Sequence, residues 1–143
     1  MNKTRAVLAV LTLTVLVPVL SGRGDKDKGI RIRPKDREKV SALMHRKLEH
    51  SQKVLEGIAL ADFDEIAKHA DELILLSKKA EWTVLKTPKY EVYSSEFRRA
   101  AEDLIKNAKD KNIEAATLSY MDMTMDCVRC HKYVREIREA RRD

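Results

Sequence analysis

Two cysteines are all that this 143-residue chain contains. They are too few for a four-cysteine zinc site, and no second Cys/His cluster of zinc-finger spacing supplements them. No segment alternates apolar and polar residues convincingly, so strands are not expected, nor the βαβ pattern beside which a thioredoxin-like Cys pair belongs. No internal repeat or low-complexity segment breaks the chain. No paired carboxylates, Ser-His-Asp set or phosphate-binding loop emerges, so no catalytic residue is assigned and an enzyme is not expected. Basic residues exceed acidic ones, 29 to 23. No basic patch with interleaved aromatics goes with that excess, which leaves nucleic acid out as a partner. Residues 1–24 hold Lys3, Arg5 and Arg23 and no acid, so without them the net charge drops from +6 to +3.

The long apolar run is Ala6 to Leu20. It holds about fifteen residues, short of the ~20 that a comfortable membrane span needs. Lys3 and Arg5 precede it, Pro18 falls near its end, and Ser21-Gly22-Arg23-Gly24 follows. That order reads as a bacterial export signal over residues 1–24, with a periplasmic or otherwise exported mature chain and no membrane span in it. An uncleaved N-terminal anchor is the alternative. Residues 25–34 form a polar, charge-rich leader ending in Pro34, and residues 35–143 suit one small domain.

Four amphipathic segments occupy that domain, so the expected class is all-α. The first runs from about Lys35 to Ala59, with Val40, Met44, Leu48, Ser51, Leu55 and Ile58 on one stripe. The second opens with Asp62-Phe63-Asp64-Glu65, an N-cap followed by an acid at N3, and turns Ile66, Ala70, Leu73 and Ile74 inward. Thr83 to Tyr93, carrying Pro88, reads as a loop. A third helix is expected from Ser94 or Ser95, burying Phe97, Ala100, Ala101, Leu104, Ile105 and Ala108. After a turn at Lys109 to Asn112, the fourth carries Ile113, Ala116, Tyr120, Met123, Cys127, Cys130, Val134 and Ile137 on one stripe. Short connections favour antiparallel neighbours, hence an up-down-up-down four-helix bundle.

Both cysteines stand in Cys127-Val128-Arg129-Cys130-His131. Cys-x-x-Cys-His is the attachment signature of c-type haem, in which two thiols form thioethers to the porphyrin edge and the histidine ligates iron. On a helix the three residues fall at i, i+3 and i+4, so one face addresses one flat macrocycle. One covalent haem c is therefore the expected cofactor. The competing reading is a haem-free helical protein whose two cysteines form a disulfide.

With that motif near the C-terminal end, Arg135 four residues after the histidine, Gly57 before Asp62-Phe63, and Phe97 with the alanines of the third helix, the chain resembles the cytochrome c-prime family, including its low-spin, methionine-ligated sister group. The likeness covers about residues 35–139. It implies a four-helix bundle with haem near one end, thioethers at Cys127 and Cys130, and His131 as the proximal ligand. Covalent attachment outside the cytoplasmic membrane, which the export signal fits, belongs to the same resemblance. Two positions depart from the family: Val134 stands where an aromatic is frequent, with Tyr133 one earlier, and Val40 stands where an arginine commonly precedes the first-helix methionine. Members often dimerise through their first helices, and Leu43, Val54 and Leu76 are flank positions available either for such a homodimer or for burial.

Met44 is the methionine that another helix can bring to the opposite face of the porphyrin, because Met121, Met123 and Met125 share a helix with His131. It is the expected distal ligand; the alternative is a core side chain beside five-coordinate iron. His45 falls on the polar side of the first helix, His69 between Glu65 and Glu72 in a solvated charge cluster, and His50 on a flank. Met123 is expected to pack on the haem, its polarizable thioether suiting a porphyrin wall. Arg135 either approaches the proximal face or a propionate, or is solvated. The function that follows is single-electron transfer between larger redox proteins. If Met44 does not ligate, the alternative is a module that binds nitric oxide or carbon monoxide.

Overall fold

The computed structural model describes residues 34–79 and 82–140. The expected export signal at 1–24 and nearly all of the leader at 25–34 lie outside those residues. The described chain is all-α: α1 (Pro34–Leu60), α2 (Phe63–Ser77), α3 (Pro88–Lys109) and α4 (Ile113–Glu139), with no strand among them. None of these helices is long and apolar enough to cross a membrane.

Two turns repeat one device. After α1, Ala61 adopts φ 53°, with Ala61 N–H donating to Ile58 O and Asp62 N–H to Gly57 O. After α3, Lys111 adopts φ 53°, with Lys111 N–H donating to Ala108 O and Asn112 N–H to Asn107 O. Each pair satisfies the orphaned last carbonyls of its helix with a left-handed residue. The very next residue, Asp62 or Asn112, then accepts a backbone N–H of the following helix, from Glu65 at 3.1 Å or Ala115 at 2.9 Å. One short segment thus closes one helix and opens the next, as the Asp62-x-x-Glu65 pattern led one to expect.

The third helix starts earlier than Ser94. Thr87 is its N-cap, accepting Tyr90 N–H at 3.2 Å, and Pro88 is its first residue, where a missing N–H costs nothing. Pro88 therefore opens a helix rather than marking a loop, and Tyr90, Tyr93 and Ser94 join the structured part. Ser94 is buried and serves as acceptor for Trp82 Nε1–H at 2.9 Å.

The core joins all four helices: Val54 of α1, Ile66, Ala70, Leu73 and Ile74 of α2, Phe97, Ala100, Ala101, Leu104 and Ala108 of α3, and Ala116 and Met123 of α4. Each large aliphatic in it contributes about 1.5–3 kcal/mol by leaving water. Gly57 lets α1 and α2 come close, since a Cβ there would lie 2.9 Å from Ile66 Cγ1 and 3.2 Å from Asp62 O. α1 is rotated from the expected stripe: Leu43, Lys47 and Val54 face inward, while Leu48 and Leu55 are 56% and 51% exposed. The shift is one residue, about 100°. Leu43, Val54 and Leu76 are all interior, so their part is burial and not contact with a second copy.

Candidate functional site

At one end of the core a cavity of about 520 Å³ opens among α1, α3, α4 and the segment around Trp82. Its size falls in the ~300–1,000 Å³ range of small-molecule and cofactor sites. From α4 it is lined by Met123, Cys127, Cys130, His131 and Arg135, from α1 by Met44 and Lys47, and from the remaining elements by Leu73, Trp82, Tyr93 and Phe97. All six residues singled out from the sequence, Met44, Met123, Cys127, Cys130, His131 and Arg135, thus meet in one cavity.

Helix periodicity explains the α4 wall. Met123, Cys127 and Cys130 follow at four- and three-residue steps, with Met123 and Cys130 buried and Cys127 half-buried. Both thiols are free. Burial pushes each thiol pKa up, with the Lys47 ammonium pulling the other way. His131 sits at the rim, open to solvent on one side, and its pKa is lowered by partial burial, then by Arg135 and Lys47. The site therefore favours a neutral imidazole, the form that ligates a metal. Arg135 is exposed along the same rim. Below the cysteines, buried Asp126 accepts from Arg129 Nη1 at 2.9 Å, and burial holds its carboxyl above the usual range.

An aromatic group forms a further wall. Trp82 and Phe97 ring centres lie 5.7 Å apart, and Trp82 and Tyr90 6.4 Å apart. Trp82 is fixed at both polar ends, its indole N–H on Ser94 and its carbonyl accepting the Tyr90 hydroxyl. Tyr133 packs with Cys130, Leu85 and Tyr90, and its hydroxyl meets Thr87 Oγ1 at 2.9 Å. Val134 packs against the same cluster. Met44 is half-buried and touches the Leu43, Leu76 and Trp82 cluster while lining the cavity.

Four residues escape a reading of the sequence. Lys47, a lysine on a charge-rich helix, is 7% exposed, and its Nζ has no hydrogen-bond partner. It stands 3.3 Å from the Phe97 ring centre and 3.6 Å from that of Trp82. The one available signal was its spacing from Leu43 and Val54, at i+4 and i−7. His69 is not in a solvated cluster: its ring is 13% exposed, held by Glu65 at 2.9 Å and by His50 at 2.8 Å. His45 bonds the Ser41 carbonyl at 2.9 Å and lies on the rim of the cavity rather than away from it. Thr87 is the fourth, because its proline neighbour masked the cap.

The chemistry of this donor set is specific. Two thiols, the His131 and His45 imidazoles and the Met44 and Met123 thioethers line an apolar, aromatic-walled space, and no cluster of three His, Cys, Asp or Glu side chains suited to a bare metal ion occurs among the described residues. The lining suits an apolar group of cofactor size. Comparison with protein-family models, curated proteins and solved structures finds no match.

Proposed function

We propose that the chain is an exported c-type cytochrome that carries single electrons between larger redox proteins. The observation that supports this best is the meeting of Cys127, Cys130, His131 and Met44 around one apolar cavity large enough for a cofactor. Haem bound there supplies a one-electron iron couple. Cys127 and Cys130 would hold it through thioethers, His131 would ligate from the proximal side, and Met44, as a soft thioether from α1, would close the distal side in the ferrous state. This reading supposes an up-down-up-down, antiparallel bundle, which the short turns at Ala61 and Lys111 favour. Trp82, Phe97 and Met123 keep water from the space and present a polarizable wall. Arg135 at the rim suits a propionate.

One observation favours the five-coordinate, gas-binding reading as the second choice. Met44 already packs against Leu43, Leu76 and Trp82, so its thioether has an apolar home without iron. The two readings part in the ferrous protein produced with haem-attachment machinery. Covalently retained haem and a low-spin ferrous spectrum that carbon monoxide leaves unchanged are expected, with Met44→Ala turning the protein into one that takes the gas. Wild-type protein that binds carbon monoxide as readily as Met44→Ala would transfer the case to gas binding. Protein that carries no haem would end both readings.

A further inference from the structure

Lys47 is the group in this cavity that the proposed function leaves unused. Its amine is buried, finds no hydrogen-bond acceptor, and rests between the faces of Trp82 and Phe97. A charged amine in such a place is costly unless it is paired or neutral. Burial has accordingly pushed its pKa down to about 7, so an unprotonated amine is available near neutrality. The groups that face it are Cys127 and Cys130, which favour its charge, and Arg98 of α3, which opposes it. His131 senses it too.

Two kinds of partner would satisfy this nitrogen once haem occupies the cavity: a propionate or the iron. Haem propionates stand at the edge of the macrocycle away from the thioether-bearing carbons. Lys47 lines the same cavity as both cysteines and the histidine, the groups that would hold the thioether side and the iron. Lys47 also follows Met44 by three residues, so both side chains rise from one face of α1 into the same cavity. A thioether is the softer ligand and prefers ferrous iron, whereas an amine nitrogen prefers ferric iron.

We propose that Lys47 is a second distal ligand, taking ferric iron in place of Met44. This rests on the haem reading above. On loss of one electron to the acceptor protein, Met44 would release the iron. Lys47 would give its ammonium proton to water and bind the iron through Nζ. Return of the electron reverses each step, and the amine takes a proton back.

The test is the ferric spectrum of the haem-loaded protein and of Lys47→Leu and Lys47→Arg, with near-infrared magnetic circular dichroism to separate histidine–amine from histidine–thioether ligation. Wild type should be low-spin and lack the weak red thioether-to-iron band, and both variants should gain that band or become high-spin. Ferrous spectra should be the same in all three, which reports that loading and folding are intact. Arginine keeps the charge but cannot ligate. A Lys47→Arg protein with the wild-type ferric spectrum would therefore mean a carboxylate anchor and overturn the proposal, as would a wild-type thioether band that Lys47→Leu leaves unchanged. Ferrous wild type that binds carbon monoxide would remove Met44 from the scheme, while the ferric amine signature would still decide Lys47.

Discussion

The facing Nδ1 atoms of His50 and His69 lie 2.8 Å apart across α1 and α2, and His69 Nε2 meets Glu65 at 2.9 Å. With Nε2–H of His69 donated to the carboxylate, its Nδ1 accepts from His50 Nδ1–H, so one proton stands between the two rings. Two imidazolium ions would set N–H against N–H.

Acid should therefore loosen this pair. The His50 pKa is lowered, first by burial and then by His69. A base with a lowered folded pKa gives stability that is present above the unfolded value of 6.5 and lost as pH falls through the folded value. Urea midpoints measured at pH 7 and pH 5 should fall more for wild type than for His50→Gln. Equal falls would show that the pair does not titrate in this window.

Lys47 gives the chain without any bound group a pH dependence at the other end of the scale. Its folded pKa of about 7 lies below the ordinary 10.5, so the unfolded state holds more protons between those values, and stability rises with pH from about 7 upward. The slope is at most about 1.4 kcal/mol per pH unit for one proton. Above pH 9 the two thiols, raised by burial, work in the opposite sense. Urea titrations of chain made without attached haem should show the rise from pH 7 to 9, and Lys47→Leu should abolish it.

Gly57→Ala should destabilise the protein although alanine is the better helix former. The added carbon would meet Ile66 Cγ1 at 2.9 Å and the α2 backbone at 3.2 Å, and backbone cannot step aside as a side-chain tip can. Overpacking of this kind costs about 1–3 kcal/mol, against a propensity gain of roughly 0.5–1 kcal/mol. A chemical-denaturation midpoint at or above wild type would show that α1 and α2 separate freely at this point.

Thr87→Ala removes two things at once: the cap for Tyr90 N–H and the partner of the Tyr133 hydroxyl. A lost cap costs about 1 kcal/mol and an unsatisfied part-buried hydroxyl about 1–3 kcal/mol more. Thr87→Ser keeps both oxygens in reach and should stay close to wild type. If alanine and serine behave alike in denaturant, the α3 start at Pro88 is not held by this side chain.

How far the sequence reaches differs from helix to helix. On α2 and α3 the inward residues were legible because apolar and polar faces are cleanly divided, as at Ile66, Ala70, Leu73 and Phe97, Ala101, Leu104. On α4 the Cys-x-x-Cys-His motif is legible because its spacing is chemical, and Met123 follows from the same stripe. On α1 the pattern misled by one residue. Leu48 and Leu55 are exposed beside an open seam toward α4, and the inward slot goes to a lysine that hydropathy alone would set in water. Such a lysine can stay inside because two aromatic faces receive it, and those faces come from Trp82 and Phe97, far away in sequence. The His50–His69 contact is hidden for the same reason: it depends on how two helices are rotated against each other.

Chain order gives this cavity a direction in time. Met44, Lys47, Leu73, Trp82 and Phe97 all precede the two thiols, which sit on the last of the four helices. A chain emerging amino end first presents the aromatic wall before it presents Cys127 and Cys130. If haem is attached as proposed above, the thiols that would hold it are among the last of the lining groups to be made, and His131 follows the second thiol directly.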